Sequence, residues 1–218
     1  MSFDAVSYIM GKNAGGGGRG GSTLPAGYTL LSHVVCDGNA YFNSQYESTA
    51  DFGFHIQYYP ITTVSKNVFG GFSLDGTGLV YAINYKTTLD TYYSISDEPI
   101  KLSGFSSSYR DVTITSNGTT IKAWKDYDTP TEISGNFDTN AVIVVGSFGD
   151  TINGVIVPRA DEYQGSIKEL RFFAGSEVVA DFVPCKNPQS VVGMYDTVRS
   201  RFFSSEGSSQ FGAGNVIP

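Results

Sequence analysis

Cysteine, histidine, tryptophan and charge are all scarce in this chain of 218 residues. The two cysteines, Cys36 and Cys185, form no CxxC pair, and the two histidines, His33 and His55, stand singly in strand-like runs. Zinc sites and Cys/His nucleophiles need such residues in clusters, so neither is expected. Two buried thiols are expected at Cys36 and Cys185, with a single bridge on export as the alternative. Charged residues are 16% of the chain, 14 basic against 21 acidic, for a formal net charge of −7. That field repels polyphosphate and offers nucleic acid no attraction. No apolar run approaches the roughly 20 residues of a bilayer-spanning helix, and residues 1–23 show neither a basic n-region nor an apolar h-region. No membrane span or secretory signal is expected, and synthesis should end in a cytoplasm. GxSxG, HExxH, P-loop and EF-hand patterns are absent as well.

What the chain has in quantity is glycine and large aromatics: 26 Gly, 14 Tyr and 15 Phe. Aromatics favour pleated sheet and glycine favours turns, so the expected class is all-β. From residue 24 onward the apolar period is two. Residues 51–59 alternate, with Phe52, Phe54, Ile56 and Tyr58 on one face and Gly53, His55, Gln57 and Tyr59 on the other, a half-buried strand ended by Pro60. Runs 68–74 and 79–85 are separated by the turn residues 75–78. Runs 109–116 and 119–125 flank Asn117-Gly118, which suits a type I′ hairpin turn; the glycosylation sequon there is read as turn chemistry. Residues 141–148 read as a central strand and 153–158 as a shorter one. Runs 167–174 and 178–183 flank Gly175-Ser176 as a further hairpin. Pro184 is expected to stop its second strand, and a loop-rich segment follows. The total is about eleven to thirteen short strands in two stacked antiparallel sheets with jelly-roll connections.

The N-terminus reads differently. Residues 3–12 have a capping Asp4 and an apolar stripe of Phe3, Val6, Ile9 and Met10 at helical spacing. A helix so short is not stable alone in water. Nearly pure glycine follows, with a reach of about 20 Å as a flexible coil. The layout is therefore a docking peptide (1–12), a Gly-rich linker (13–23) and one β-sandwich domain (24–218). The peptide is expected to fold into a groove of a partner protein, with packing on its own domain or a frayed terminus as the alternative.

The final quarter carries a resemblance. Gly165 and Ile167, then Asp181-Phe182 with Pro184-Cys185, then Gly193 with Tyr195-Asp196, then Phe202-Phe203, Phe211 and Gly214 follow one order. This order resembles the C-terminal end of concanavalin A-like (laminin-G-like) jelly-roll domains of phage and prophage structural modules, in which the GxYD element is a turn. The YIMGK-polyglycine start is similar to N-termini of the same group. The resemblance implies a virion-associated protein, made in a host cytoplasm and leaving without a secretory signal, with the peptide docked on phage structural protein.

Enzymes of concanavalin A-like fold and laminarinase type carry ExDxxE or ExDxE on one strand, and this sequence has neither. Its adjacent acids, Asp97-Glu98 and Asp161-Glu162, would point to opposite faces of a strand, so a non-enzymatic protein is expected. Asp37, Asp51, Asp150 and Asp161 are possible calcium ligands by analogy with some laminin-G-like domains, but no spacing gathers six to eight oxygens, and solvated turn residues are favoured; no cofactor is expected. Sugar binding uses aromatic platforms beside polar groups, which singles out Trp124, Tyr127, Tyr92, Tyr93 and Tyr109 near loops. Tyr195 and Asp196 read as a structural pair. The expected function is a tethered adhesion or carbohydrate-binding module facing a host-surface glycan. The alternative is a decoration or fibre protein that packs against its own copies and binds no glycan.

Overall fold

A computed structural model describes residues 24–61, 66–72, 79–84, 91–94, 100–103, 109–125, 129–134, 140–153, 155–159 and 162–218, with backbone alone at 79, 81–84, 91–94 and 151. The docking peptide with Phe3, Val6, Ile9 and Met10, the linker, Tyr127, Asp161 and the turn at 75–78 lie outside the described residues.

In chain order the first strands are β1 (Thr29–Leu30), β2 (Val34–Asp37), β3 (Phe42–Glu47), β4 (Phe52–Pro60), β5 (Lys66–Phe72), β6 (Leu79–Asn84), β7 (Thr91–Ser94), β8 (Ile100–Leu102), β9 (Arg110–Ser116) and β10 (Thr120–Lys125). There follow β11 (Thr131–Ser134), β12 (Val142–Val145), β13 (Gly149–Ile152), β14 (Val155–Pro158), β15 (Gln164–Ala174), β16 (Glu177–Lys186), β17 (Val192–Asp196), β18 (Arg201–Ser204) and β19 (Gly212–Ala213). The all-β class is as expected, with more strands than the sequence count and with β15 and β16 longer than the runs read for them. Among the described residues no helix is long and apolar enough to cross a membrane.

The larger sheet runs β11-β10-β9-β4-β15-β16-β17-β18, with β1 on β16, β2 on β15 and β19 on β2. The second runs β14-β13-β5-β6-β7-β8, with β12 on β5 and β3. Pairing is antiparallel except at Gly149 of β13 and Gly71 of β5, which pair in parallel.

Between the sheets lies an aromatic core. Phe172 of β15 is at its centre, with ring centroids 5.4 Å from Phe52, 5.3 Å from Phe182, 5.5 Å from Tyr46 and 6.2 Å from Phe69. Phe42 joins this group to the C-terminal end through Phe203 at 5.1 Å and Phe211 at 6.1 Å. The aromatics of the closing segment are thus part of one core and hold the chain's last residues to the first strands.

Several expectations change. The hairpin at Gly175 forms, with φ +56° at that glycine, but Pro184 does not end β16. The strand continues to Lys186, with Pro184 opposite Met194. The Pro184 carbonyl accepts from Leu31 N–H at 2.9 Å. In an antiparallel strand a residue's N–H and C=O point to the same neighbour, so the missing donor faces the short strand β1 and the ladder to β17 is intact. The supposed loop after it is two strands, β17 and β18. The GxYD element is strand, and the chain turns at 197–200. Asp196 Oδ1 organises that turn by accepting from the N–H groups of Val198 at 3.0 Å, Arg199 at 3.3 Å and Asp181 at 3.1 Å. Asn117 N–H donates to the Thr120 carbonyl at 3.2 Å, so the central pair of this hairpin is Gly118-Thr119, and of the two only Gly118, the first, takes positive φ, +85°. That is the pattern of a type II′ turn and not the expected type I′.

Both cysteines are buried and free. Burial, with Asp37 nearby, raises the Cys36 thiol far above its ordinary range, and burial pushes Cys185 up to about 12. The thiolate is the reactive species, so neither residue should take up iodoacetamide in the folded chain and both should do so in guanidinium. Labelling followed by mass spectrometry checks this; rapid native labelling of either residue would contradict the burial.

Candidate functional site

Strand β4 is buried on both faces along much of its length, contrary to the half-buried expectation. Phe52, Phe54, Ile56 and Tyr58 enter the core as the alternation predicts, but Gly53 and His55 on the opposite face are buried too. What surrounds His55 on that outer face is polar.

The register brings one row of side chains across five strands. Trp124 of β10 stands opposite Thr113 of β9, Thr113 opposite His55 of β4, His55 opposite Arg171 of β15, and Arg171 opposite Asp181 of β16. Directly opposed residues share a face. Beside this row runs a second, Asp111 opposite Gln57 opposite Glu169. Strand β15 reaches this arrangement through a bulge at Lys168: Ile167 pairs with Tyr58 on the core face and Glu169 pairs with Gln57 on the outer face. In an unbroken strand Ile167 and Glu169 would share one face; the extra residue separates them.

The two rows are bonded together. His55 Nδ1 is 3.0 Å from Thr113 Oγ1 and 3.6 Å from Asp111 Oδ1, and its Nε2 is 3.7 Å from Glu169 Oε2. Gln57 Nε2 donates to Asp111 Oδ2. Arg171 divides its guanidinium, Nε donating to Asp181 Oδ1 at 3.1 Å and Nη2 standing 3.6 Å from Glu169 Oε2. The His55 side chain is wholly buried, whereas Asp111, Glu169 and Asp181 keep 15–17% exposure. The histidine therefore lies beneath carboxylates whose edges reach solvent. Further along the face are apolar rings: Tyr195 opposite Val183, Phe202 opposite Tyr195, and Tyr28 with its centroid 5.2 Å from Tyr195 and 5.8 Å from Phe202.

The structure separates the residues that the sequence singled out for sugar contact. Trp124 ends the polar row but is only 7% exposed. Tyr109 lies four residues before Trp124's partner Thr113, about 13 Å along the strand. It packs instead near Tyr59, with centroids 5.8 Å apart, and near the Lys168 ammonium at 5.9 Å. Tyr92 and Tyr93 are in β7 of the other sheet. The three described acids considered for calcium have separate protein partners. Asp37 accepts from Asn39 and Ala40 N–H and from Ser209 Oγ, Asp51 from Thr49 Oγ1, and Asp150 forms two bonds with Arg159. Among the described residues no group of three His, Cys, Asp or Glu side chains is placed to hold a metal ion.

Sequence reasoning passed over His55, Gln57, Asp111, Glu169 and Arg171 as site residues, and used Asp181 only as part of a motif. The signal was present as three polar pairs at spacing two: His55 with Gln57, Asp111 with Thr113, and Glu169 with Arg171. Each pair lies on one strand face. Converging carboxylates do occur here, on three different strands and outside any ExDxE pattern.

No protein-family model matches the chain, and no curated protein sequence matches it. Solved structures do. The LG1-3 region of the laminin alpha2 chain superposes with a TM-score of 0.50 at 12% identity, covering 87% of this chain and 31% of that one. The extracellular region of zebrafish Gpr126/Adgrg6 gives 0.53 at 9% identity, covering 86% of this chain and 27% of that one. A CBM40 module of the Ruminococcus gnavus IT-sialidase, solved with alpha2,3 sialyllactose, gives 0.49 at 10% identity, over 68% of this chain and 91% of that one. The chain has the laminin-G-like jelly-roll fold. At these identities the likeness is one of fold, and any activity has to be argued from the outer face itself.

Proposed function

We propose that this protein is a non-enzymatic glycan-binding module, made in a host cytoplasm and carried on a phage or phage-like particle by its N-terminal peptide. The observation that carries the binding half is the outer-face cluster of carboxylates, guanidinium, amide and imidazole, with an aromatic group alongside. Sugar rings offer hydroxyls to charged acceptors at their rim and an apolar face to aromatic rings. Asp111, Glu169 and Asp181 are interleaved with His55, Gln57 and Arg171 and do not face one another across an open gap, which favours recognition over hydrolysis. The particle half is supported by the sequence resemblance and by the layout of an apolar peptide on a glycine tether. Many copies on one particle would raise avidity without any new contact, so modest affinity per domain is enough.

A second reading has its own observation. Ile152, Val155 and Val157 are 53%, 60% and 42% exposed, and β14 ends the second sheet. An apolar edge of this kind suits packing between identical copies, as in a decoration or fibre protein.

One pair of proteins separates the readings: the full chain and a chain lacking residues 1–22. Both should bind the same members of an immobilised-glycan panel, and only the full chain should co-sediment with particles of the parent genome. Equal pelleting of both, with no glycan bound and concentration-dependent self-association, would put attachment on the sandwich and favour the decoration reading.

A further inference from the structure

A sugar ring needs an apolar floor as well as polar partners at its rim, and two aromatic groups border the outer-face cluster. At one end Tyr28, Tyr195 and Phe202 pack edge to face, and Tyr195 is buried among them. At the other end Tyr59 occupies the last outward position of β4 and is 40% exposed.

Tyr59 is exposed and yet held in place. Its carbonyl accepts from the hydroxyl of the fully buried Tyr163, which also reaches the Ser166 carbonyl, both at 3.0 Å. Gly165 lets this clamp close, since a Cβ there would come within 2.3 Å of the Tyr59 carbonyl and 2.4 Å of the Tyr163 hydroxyl. The Tyr59 ring packs near Tyr109 with centroids 5.8 Å apart, and the Tyr109 hydroxyl is 3.4 Å from Ser166 Oγ. The backbone beneath the ring and the ring beside it are thus fixed before any ligand arrives, which lowers the ordering cost of binding.

A second observation lies on β15. Its bulge residue Lys168 brings an ammonium to 5.9 Å from the Tyr109 ring, and the same bulge turns Glu169 to the outer face opposite Gln57. Bulges interrupt a ladder and recur where a side chain has to be re-aimed at a site. Gln57 is two residues before Tyr59, about 7 Å along the same face, and Asp111 is two residues after Tyr109. A ring lying on Tyr59 therefore has amide and carboxylate oxygens at its edge. A carboxylate has about four acceptor positions, so it takes a ligand hydroxyl alongside its protein partners.

We propose that Tyr59, with Tyr109 beside it, is the platform on which a hexopyranose stacks, and that the ligand is a β-linked sugar of gluco or galacto configuration. Such a ring has at least one face of C–H bonds with no axial oxygen, which an aromatic face can cover. An α-mannoside has an axial oxygen on each face and cannot lie flat. The inference rests on the glycan-binding reading and assigns the contact and the ligand class within it.

The test titrates the full chain with lactose, cellobiose and methyl α-mannoside by proton NMR, and repeats the titrations with Tyr59→Ala and Tyr59→Phe. Lactose or cellobiose should bind at least about five-fold more tightly than the mannoside, and Tyr59→Ala should weaken that binding by about five-fold, the scale of one ring contact. Tyr59→Phe keeps the ring and should keep the affinity. Saturation transfer from aromatic protons of the unaltered chain should be strongest at the axial protons of one sugar face, a readout that needs no variant to fold. Preference for the mannoside, or binding confined to glycans without such a ring, would overturn the ligand class. Full affinity in folded Tyr59→Ala would overturn the platform and leave a glycan-binding protein whose site lies elsewhere. A glycan panel with no binder at all would remove the glycan reading and the platform with it.

Discussion

Phe172→Ala should lower unfolding free energy by about 3–5 kcal/mol, the range for deleting a buried aromatic side chain. Phe172 is fully buried and its ring meets Phe52, Phe69, Phe182 and Tyr46, which belong to β4, β5, β16 and β3. Those strands come from both sheets, so the cavity would open in the contact that holds the sandwich together. Neighbouring backbone can collapse little, because each surrounding ring is itself locked by a ladder. Domains typically have about 5–15 kcal/mol in hand, so a large part of the total would go. Urea denaturation measures it; a loss under about 1 kcal/mol would mean the rings repack freely and would contradict the close core described above. Phe172→Leu, which keeps most of the volume, should recover more than half.

Arg171→Ala, one residue away and on the opposite face, should cost about 3 kcal/mol for a different reason. Arg171 is 11% exposed, and Asp181 and Glu169 keep 15–17%. Removing the cation leaves two mostly buried carboxylates without it, and breaking such a pair from one side is worth about 3–5 kcal/mol; residual exposure argues for the lower end. The discriminating variant replaces all three together, Arg171→Met with Glu169→Gln and Asp181→Asn. With no charge left stranded, it should be closer to the parent than Arg171→Ala alone. Denaturation midpoints of the parent and the two variants decide it. If the triple variant were the less stable by the sum of its parts, charge compensation would not be what holds the cluster. The arginine also sets the position of both carboxylates, so sugar affinity should fall with Arg171→Ala even where the protein remains folded.

Together these two residues indicate what was legible beforehand. Phe172 lies in an apolar run beside a glycine break, and its place in a buried strand follows from pattern. Arg171, in the same run, shows no local sign of its role. Its partners Glu169 and Asp181 were in view, one two residues away and one in the DFVPC motif, but nothing local says that Asp181 folds back opposite it. The bulge at Lys168 is equally silent in sequence, though it decides which face Ile167 and Glu169 take. Pro184 was misjudged because a proline's effect depends on which neighbour its missing N–H would have faced, and that is set by the assembled sheet.

The sequence by itself determined the all-β class, the positions of most strands and hairpins, and the inward face of β4, because those depend on side-chain period and turn chemistry within a few residues. Only the tertiary structure decided that the closing aromatics share the main core and that His55, Asp111, Glu169, Arg171 and Asp181 meet on one outer face. Strand order and register place residues 55, 111, 169 and 181 side by side, and pairing between segments so far apart in the chain leaves no periodic trace within any one of them.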